Sequence, residues 1–147
     1  MMKQALVERS EKEGLDNCLF FKPVPKTELT KIVCSADIGM QVLANASFFY
    51  YGTSPNKFFD FISSGLPVLN NYPGWIADMI HENNCGVAVD PLNPEQFADG
   101  LIFLADHPEE RKIMGENARK LAERDFDREQ LSSQFVDFLE SVHYGKK

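Results

Sequence analysis

The run Thr53-Ser54-Pro55-Asn56-Lys57, followed by Asp60 among Phe58, Phe59, Phe61 and Ile62, has the residue types that could do chemistry. Ser54 is of the kind that caps helices, and Pro55 suits a first helical position. The N–H groups of Asn56, Lys57 and Phe58 would then fall in a first turn without intrahelical acceptors. Such an end, with its positive dipole and an adjacent ammonium, receives an anion, and phosphate suits it best. An ordinary capped helix with Lys57 in solvent is the plainer alternative. A carboxylate in so apolar a segment as that around Asp60 needs a partner or a wet cleft. A vicinal diol would supply hydrogen bonds to it; a helix-surface aspartate is the other possibility.

These residues must be positioned by their neighbours. Short apolar runs at Cys18–Phe21, Ile38–Leu43, Pro67–Leu69 and Gly86–Val89 lack strict alternation. That pattern predicts strands buried on both faces. Between them the spacing predicts helices over Pro25–Ala36, Asn56–Ser64 and Trp75–Asn84, with Gly65 and Gly86 as stops. The rhythm is that of β-α-β units, hence an α/β fold with a parallel sheet of about four strands. Residues 92–147 then change to three successive helices, Glu95–Ala105, Glu109–Arg124 and Arg128–Val142. The last carries the stripe Leu131, Phe135, Phe138, Leu139 and Val142, most simply a core face and otherwise a contact for a neighbour. Residues 1–147 are expected to form one partial domain, with 1–91 the β/α part.

At 147 residues, 44% hydrophobic and 25% charged, the chain has the composition of one globular domain. No apolar run reaches the roughly 20 residues needed to span a bilayer. The stretch before Gly14 lacks the apolar core of a signal peptide, which points to a cytoplasmic protein. The net charge of -7 disfavours nucleic acid as a partner. Cys18, Cys34 and Cys85 show no Cys-x-x-Cys spacing and read as reduced core or near-core thiols. His81, His107 and His143 share no metal-ligand spacing, so solvated or capping roles are expected. Dinucleotide, P-loop and nucleophile-elbow motifs are absent, and neither cofactor nor metal is called for.

The Asp60 stretch resembles the donor-binding segment of family 4 type retaining glycosyltransferases of the GT-B fold. That family carries a Glu-x7-Glu motif whose second Glu stands five residues before a Gly-x-Pro-Val strand. Here Asp60 stands five before Gly65-Leu66-Pro67-Val68. Gly74 to Ile80 is similar to the family's glycine turn and helix, and Gly86-Val87-Ala88-Val89-Asp90-Pro91 to its last strand. Arg111 to Ala122 is similar to the stretch before its C-terminal helix. Leu19 to Val24 resembles the strand and loop beside the nucleotide base. The similarity covers nearly the whole chain through the order and spacing of several pieces.

The resemblance implies a Rossmann-like C-terminal domain that binds a UDP- or GDP-sugar, in an enzyme transferring sugar to an acceptor hydroxyl during glycan or polysaccharide synthesis. It would place Asp60 on the ribose hydroxyls and Thr53, Ser54, Pro55, Asn56 and Lys57 at the pyrophosphate and donor sugar. Pro23 and Val24 would lie near the base. The full-length enzyme would sit in the cytoplasm, peripheral to the inner face of the membrane. One departure is Gly52 at the first-Glu position, eight before Asp60, where the family has a carboxylate. A larger one is the start, which resembles the helix after the family domain's second strand. The family's acceptor domain and its Arg–Lys diphosphate pair would then be absent. The chain reads as a fragment, a truncated gene product or half of a split enzyme, inactive alone. A non-catalytic binding or regulatory module is the alternative. In the family's strand order, Cys18–Phe21 and Ile38–Leu43 would stand roughly 14 Å apart, three spacings of about 4.8 Å. Either the first strand shifts beside the second, or two copies exchange elements into a homodimer.

Overall fold

The computed structural model describes residues 2–145. Helices α1 (Met2–Glu13) and α2 (Lys26–Val33) precede β1 (Gly39–Gln41), and a 3₁₀ turn at Ser47–Phe49 leads to α3 (Asn56–Ser63). Then come β2 (Val68–Asn70), α4 (Trp75–Glu82), β3 (Gly86–Ala88), α5 (Pro94–Asp106), α6 (Pro108–Asp125) and α7 (Arg128–His143). The strands are parallel in the order β1-β2-β3, with Gly39 opposite Val68 and Val68 opposite Gly86. The expected α/β class with helical C-terminal third is the observed one.

Side chains alternate across strands, so Gly39, Gln41, Val68 and Asn70 share one face. Helix α3 crosses this face closely enough that a Cβ on Gly39 would collide with the Phe61 ring. The main core lies here, formed by Phe58 and Ile62 of α3, Val68, Tyr72, Ile76 and Ile80 of α4, and Ala118 and Leu121 of α6. On the opposite face α5 lies tight against the sheet, where a Cβ on Gly100 would come within 2.9 Å of Leu69. Helix α5 starts as its sequence dictates: Pro94 opens it and Asn93 accepts the Gln96 N–H at 2.9 Å. Arg111 of α6 ends it by donating to the carbonyls of Leu104 (2.8 Å) and Ala105 (3.0 Å). Asp127 caps α7 in the same way, accepting from the Gln130 N–H at 2.9 Å.

Four expectations need correction. Cys18–Phe21 forms no strand, and the described sheet has three strands rather than about four. No strand among the described residues lies beside that segment, so its backbone has no ladder to join and stays solvated. Leu19 and Phe21 are 71% and 70% exposed as a result. The first strand does not shift beside the second, and β1 stands at the edge of the described sheet. The α7 stripe is no core: Phe135 and Phe138 are each 61% exposed, because α7 buries none of its residues. Cys18 and Cys34 are exposed, on the unpaired segment and at the end of α2, whereas Cys85 is buried just before β3, its carbonyl accepting the Val68 N–H of β2. The histidines behave as expected, with His107 packing its Nδ1 against the Phe103 carbonyl at 2.9 Å.

Burial pushes the Cys85 thiol up to about 11 from an ordinary 9.0, and burial also raises the Tyr72 hydroxyl. Both groups are held neutral in the fold, so their contribution is complete below the unfolded value and is lost as pH rises through the folded one. The melting temperature is therefore expected to fall from pH 9 to 11, less steeply in Cys85→Ala. At pH 8 a maleimide should label Cys18 and Cys34 at once and Cys85 only on unfolding. Three equally fast thiols would contradict the packing of Cys85.

Candidate functional site

The α3 helix begins one residue later than its sequence suggests. Pro55 adopts φ −77° and ψ 123°, an extended conformation, and occupies the cap position, with no side chain bonded to the helix start. Ser54 is thus one residue too early to cap, and the Phe58 N–H, expected to be free, donates to the Pro55 carbonyl at 3.0 Å. Asn56 and Lys57 form the first turn with exposed side chains. Thr53 is fixed at both ends: its N–H donates to the Phe49 carbonyl at 3.0 Å, and its carbonyl accepts from the Trp75 indole at 2.9 Å.

Asp60 lies four residues after Asn56, just over one turn and about 6 Å further along the same helix face. Its carboxylate stands 3.3 Å from the Lys26 ammonium at the start of α2, with the two side chains 38% and 77% exposed. That exposure makes the pair weak, so a ligand can take either partner at little cost. The same α2 start carries the two base-loop candidates. Val24 is half-buried and Pro23 exposed, immediately before the Pro25 that precedes Lys26.

Asp60 and Lys26 border a cleft of about 550 Å³ between α2, α3 and the α6–α7 turn. Phe59, Ile62, Ala122 and Phe126 give it an apolar floor, and Arg119, Arg128, Glu123 and Asp127 add charges at the rim. Its size and mixed lining suit a small polar ligand with a flat apolar part. Of the sequence-predicted residues, Asp60 alone lines it; Thr53 to Lys57 stand at the α3 start, and Pro23 and Val24 precede α2. Lys26, Arg119 and Arg128 were not foreseen. Lys26 had a local signal, a cation directly after a Pro-Val-Pro run at a helix start. The arginines had none, since only the packing of α6 on α3 and the turn into α7 brings them there. Arg119 is committed to the Ser63 carbonyl and to Glu123, which closes the α3 end of the cleft.

A second cleft, of about 480 Å³, adjoins the first across Arg119 and lies at the amino ends of β1 and β2, beside Asp37, Pro67 and Gly115. Its Arg111 is already engaged by the α5 carbonyls and by Asp37 at 3.7 Å. Ligands of open parallel sheets bind beyond the carboxyl ends of the strands, which is the end where α3 starts.

Residues 2–121 match the family described as "Glycosyl transferases group 1". The chain belongs to this family. Its domain is the C-terminal, GT-B type part. The D-inositol 3-phosphate glycosyltransferase of Corynebacterium urealyticum is 29% identical over 95% of this chain and 31% of its own length. That of Corynebacterium glutamicum is 33% identical over 67% of the chain and 22% of its own. That of Corynebacterium kroppenstedtii is 30% identical over 76% and 24%. The chain thus spans under a third of the length of these family members. No solved structure matches it significantly. No helix among the described residues is long and apolar enough to cross a membrane.

If the Asp60–Lys26 pair is a replaceable surface contact, Lys26→Ala should change stability by less than about 1 kcal/mol. Urea unfolding of the variant checks this. A larger loss would mean that the pair holds α2 on the fold.

Proposed function

We propose that this chain binds the nucleotide-sugar donor of a glycosyltransferase that moves a sugar to an acceptor hydroxyl. The observation that carries it is Asp60, at the family's ribose-binding position, held in a cleft mouth one turn from the open start of α3. In this reading the Asp60 carboxylate accepts hydrogen bonds from the ribose hydroxyls, displacing Lys26. The ammonium is then left free to face the donor's negative charge. The Thr53–Lys57 backbone and the Lys57 ammonium receive the pyrophosphate, and the aromatic floor at Phe59 and Phe126 takes apolar surface. Pro23 and Val24 stand at the base. Preorganised N–H groups and cations stabilise the leaving diphosphate as its charge develops. The donor is a UDP- or GDP-sugar, and the setting is the cytoplasmic side of a membrane where glycan or polysaccharide is built. The acceptor named by the corynebacterial relatives, an inositol phosphate, is a candidate for the whole enzyme.

Gly52 favours a second reading. With glycine where the family has its first carboxylate, no side chain at that position can bond a donor sugar, as suits a non-catalytic module that binds nucleotide and pairs with another chain. That reading expects affinity to be indifferent to the sugar attached.

Calorimetric titration with UDP, GDP and ADP tests the site. Asp60→Asn should weaken binding by about 1–3 kcal/mol, the scale of hydrogen bonds to a charged group. Trp75, the one tryptophan, lies beside Phe59 with ring centroids 6.3 Å apart, so its emission should shift on binding. Unchanged affinity in Asp60→Asn would remove Asp60 from the ribose.

The unpaired β1 edge and the exposed α7 stripe also make self-association the expected behaviour of the chain by itself. Light scattering over a dilution series should show a dimer dissociating as concentration falls. A monomer at every concentration would argue against pairing between copies.

A further inference from the structure

Directly after the core strand β2, the run Asn71-Tyr72-Pro73-Gly74-Trp75 grips the loop between β1 and α3 at successive points. The Asn71 side chain donates to the Leu43 carbonyl at 3.0 Å and accepts the Leu43 N–H at 2.8 Å. Those two bonds extend the β1–β2 pairing past the end of the ladder. Tyr72 is fully buried and stacks on Tyr50, with ring centroids 6.2 Å apart and planes 13° from parallel. Gly74 has φ +111°, and a Cβ there would run into the Tyr50 carbonyl, so only glycine lets the two backbones meet. Last, the Trp75 indole N–H reaches the Thr53 carbonyl at 2.9 Å, across 22 residues. The contacts follow the same order along both segments and end at the start of the candidate site.

We infer that Trp75 is a positioning residue for the donor's diphosphate, acting through the Thr53 carbonyl; this rests on the donor-binding reading above. A trans peptide holds its C=O and N–H on opposite sides. Tying the Thr53 carbonyl to Trp75 therefore turns the Ser54 N–H away from the indole and fixes the backbone that enters α3. Trp75 can do this because it is itself rigid. It is the first residue of α4, the neighbouring Ile76 is fully buried, and its ring lies against Phe59 of α3. Beyond Tyr50 the loop's other bonds stay within it, the Thr53 N–H to the Phe49 carbonyl among them, and Phe48 is 76% and Tyr51 74% exposed. The indole N–H thereby ties the anion-receiving backbone to α4, while the ring of the same residue lies against Phe59 of the helix that carries Asp60.

Trp75→Phe in the full 147-residue chain removes the N–H and keeps a ring against Phe59. Three properties are compared with the native chain: amide exchange over residues 53–57, affinity for UDP and GDP, and affinity for uridine and guanosine. Exchange should quicken, and diphosphate affinity should fall by about tenfold, the scale of one net hydrogen bond. Nucleoside affinity should hold. Equal losses for nucleoside and diphosphate would reduce Trp75 to a structural role, and unchanged diphosphate affinity would overturn the inference outright. If the native chain binds neither diphosphate, the donor reading fails, and unaltered exchange in Trp75→Phe then overturns the anchor as well. Should Trp75→Phe not fold, the native indole proton is read instead. Bound UDP or GDP must slow its exchange, and an unchanged rate refutes the inference.

Discussion

Strand β2 is the constraint on which the rest depends. Val68, Leu69 and Asn70 are wholly buried, because helices cover both sides of a strand only three residues long. So short a parallel ladder supplies few hydrogen bonds, and burial of apolar surface on its two faces has to supply the stability. That requirement draws α3, α4 and α6 onto one face and α5 onto the other. It also explains the glycines at the contacts, since Gly39 and Gly100 leave room for Phe61 and Leu69 where helices press on the sheet. Away from β2 the packing thins. Edge strand β1 leaves Met40 45% exposed, and α7 projects an apolar face into solvent.

The candidate site inherits its order from this core. Asp60 lies on the same helix as Phe58 and Ile62, whose burial fixes the rotation of α3 and with it the direction of the carboxylate. The polar run after β2 then carries that order out to the loop, where side-chain bonds and one stacked pair continue past the end of the ladder. Buried order near the sheet and a lightly held loop above it is the arrangement expected where a ligand must enter. Its charges are mixed rather than strongly basic. Lys26, Arg119 and Arg128 stand beside Asp60, Glu123 and Asp127, three cations against three carboxylates.

Local pattern was enough for most elements. Apolar runs bounded by glycine and helical stripes placed α3 through α7 and the strands at Gly39, Val68 and Gly86 within a residue or two. The family relationship, too, was carried by residues legible in order, Asp60 before Gly65-Leu66-Pro67-Val68 foremost among them. Failures came where the outcome hangs on a neighbour. Cys18–Phe21 has the composition of a buried strand, yet strand formation needs a partner ladder and none is beside it. Leu131 to Val142 has the periodicity of a core helix, yet periodicity shows only that a face is apolar and not that something covers it. Ser54 has the right type for a cap, yet the extended Pro55 moved the helix start past its reach.

What the sequence by itself determined is therefore the class of fold, the order of its units, the family, and Asp60 as the residue to watch. These follow from interactions along the chain, namely helix stripes, caps, turn glycines and motif spacing, whose partners lie within a few residues. Only the tertiary structure decided that Lys26 faces Asp60, that α6 and the turn into α7 bring two arginines to the same cleft, and that Trp75 holds Thr53. Those contacts join residues 22 to about 70 positions apart. They arise because burying β2 on both faces fixes where each helix lies, which no local pattern encodes.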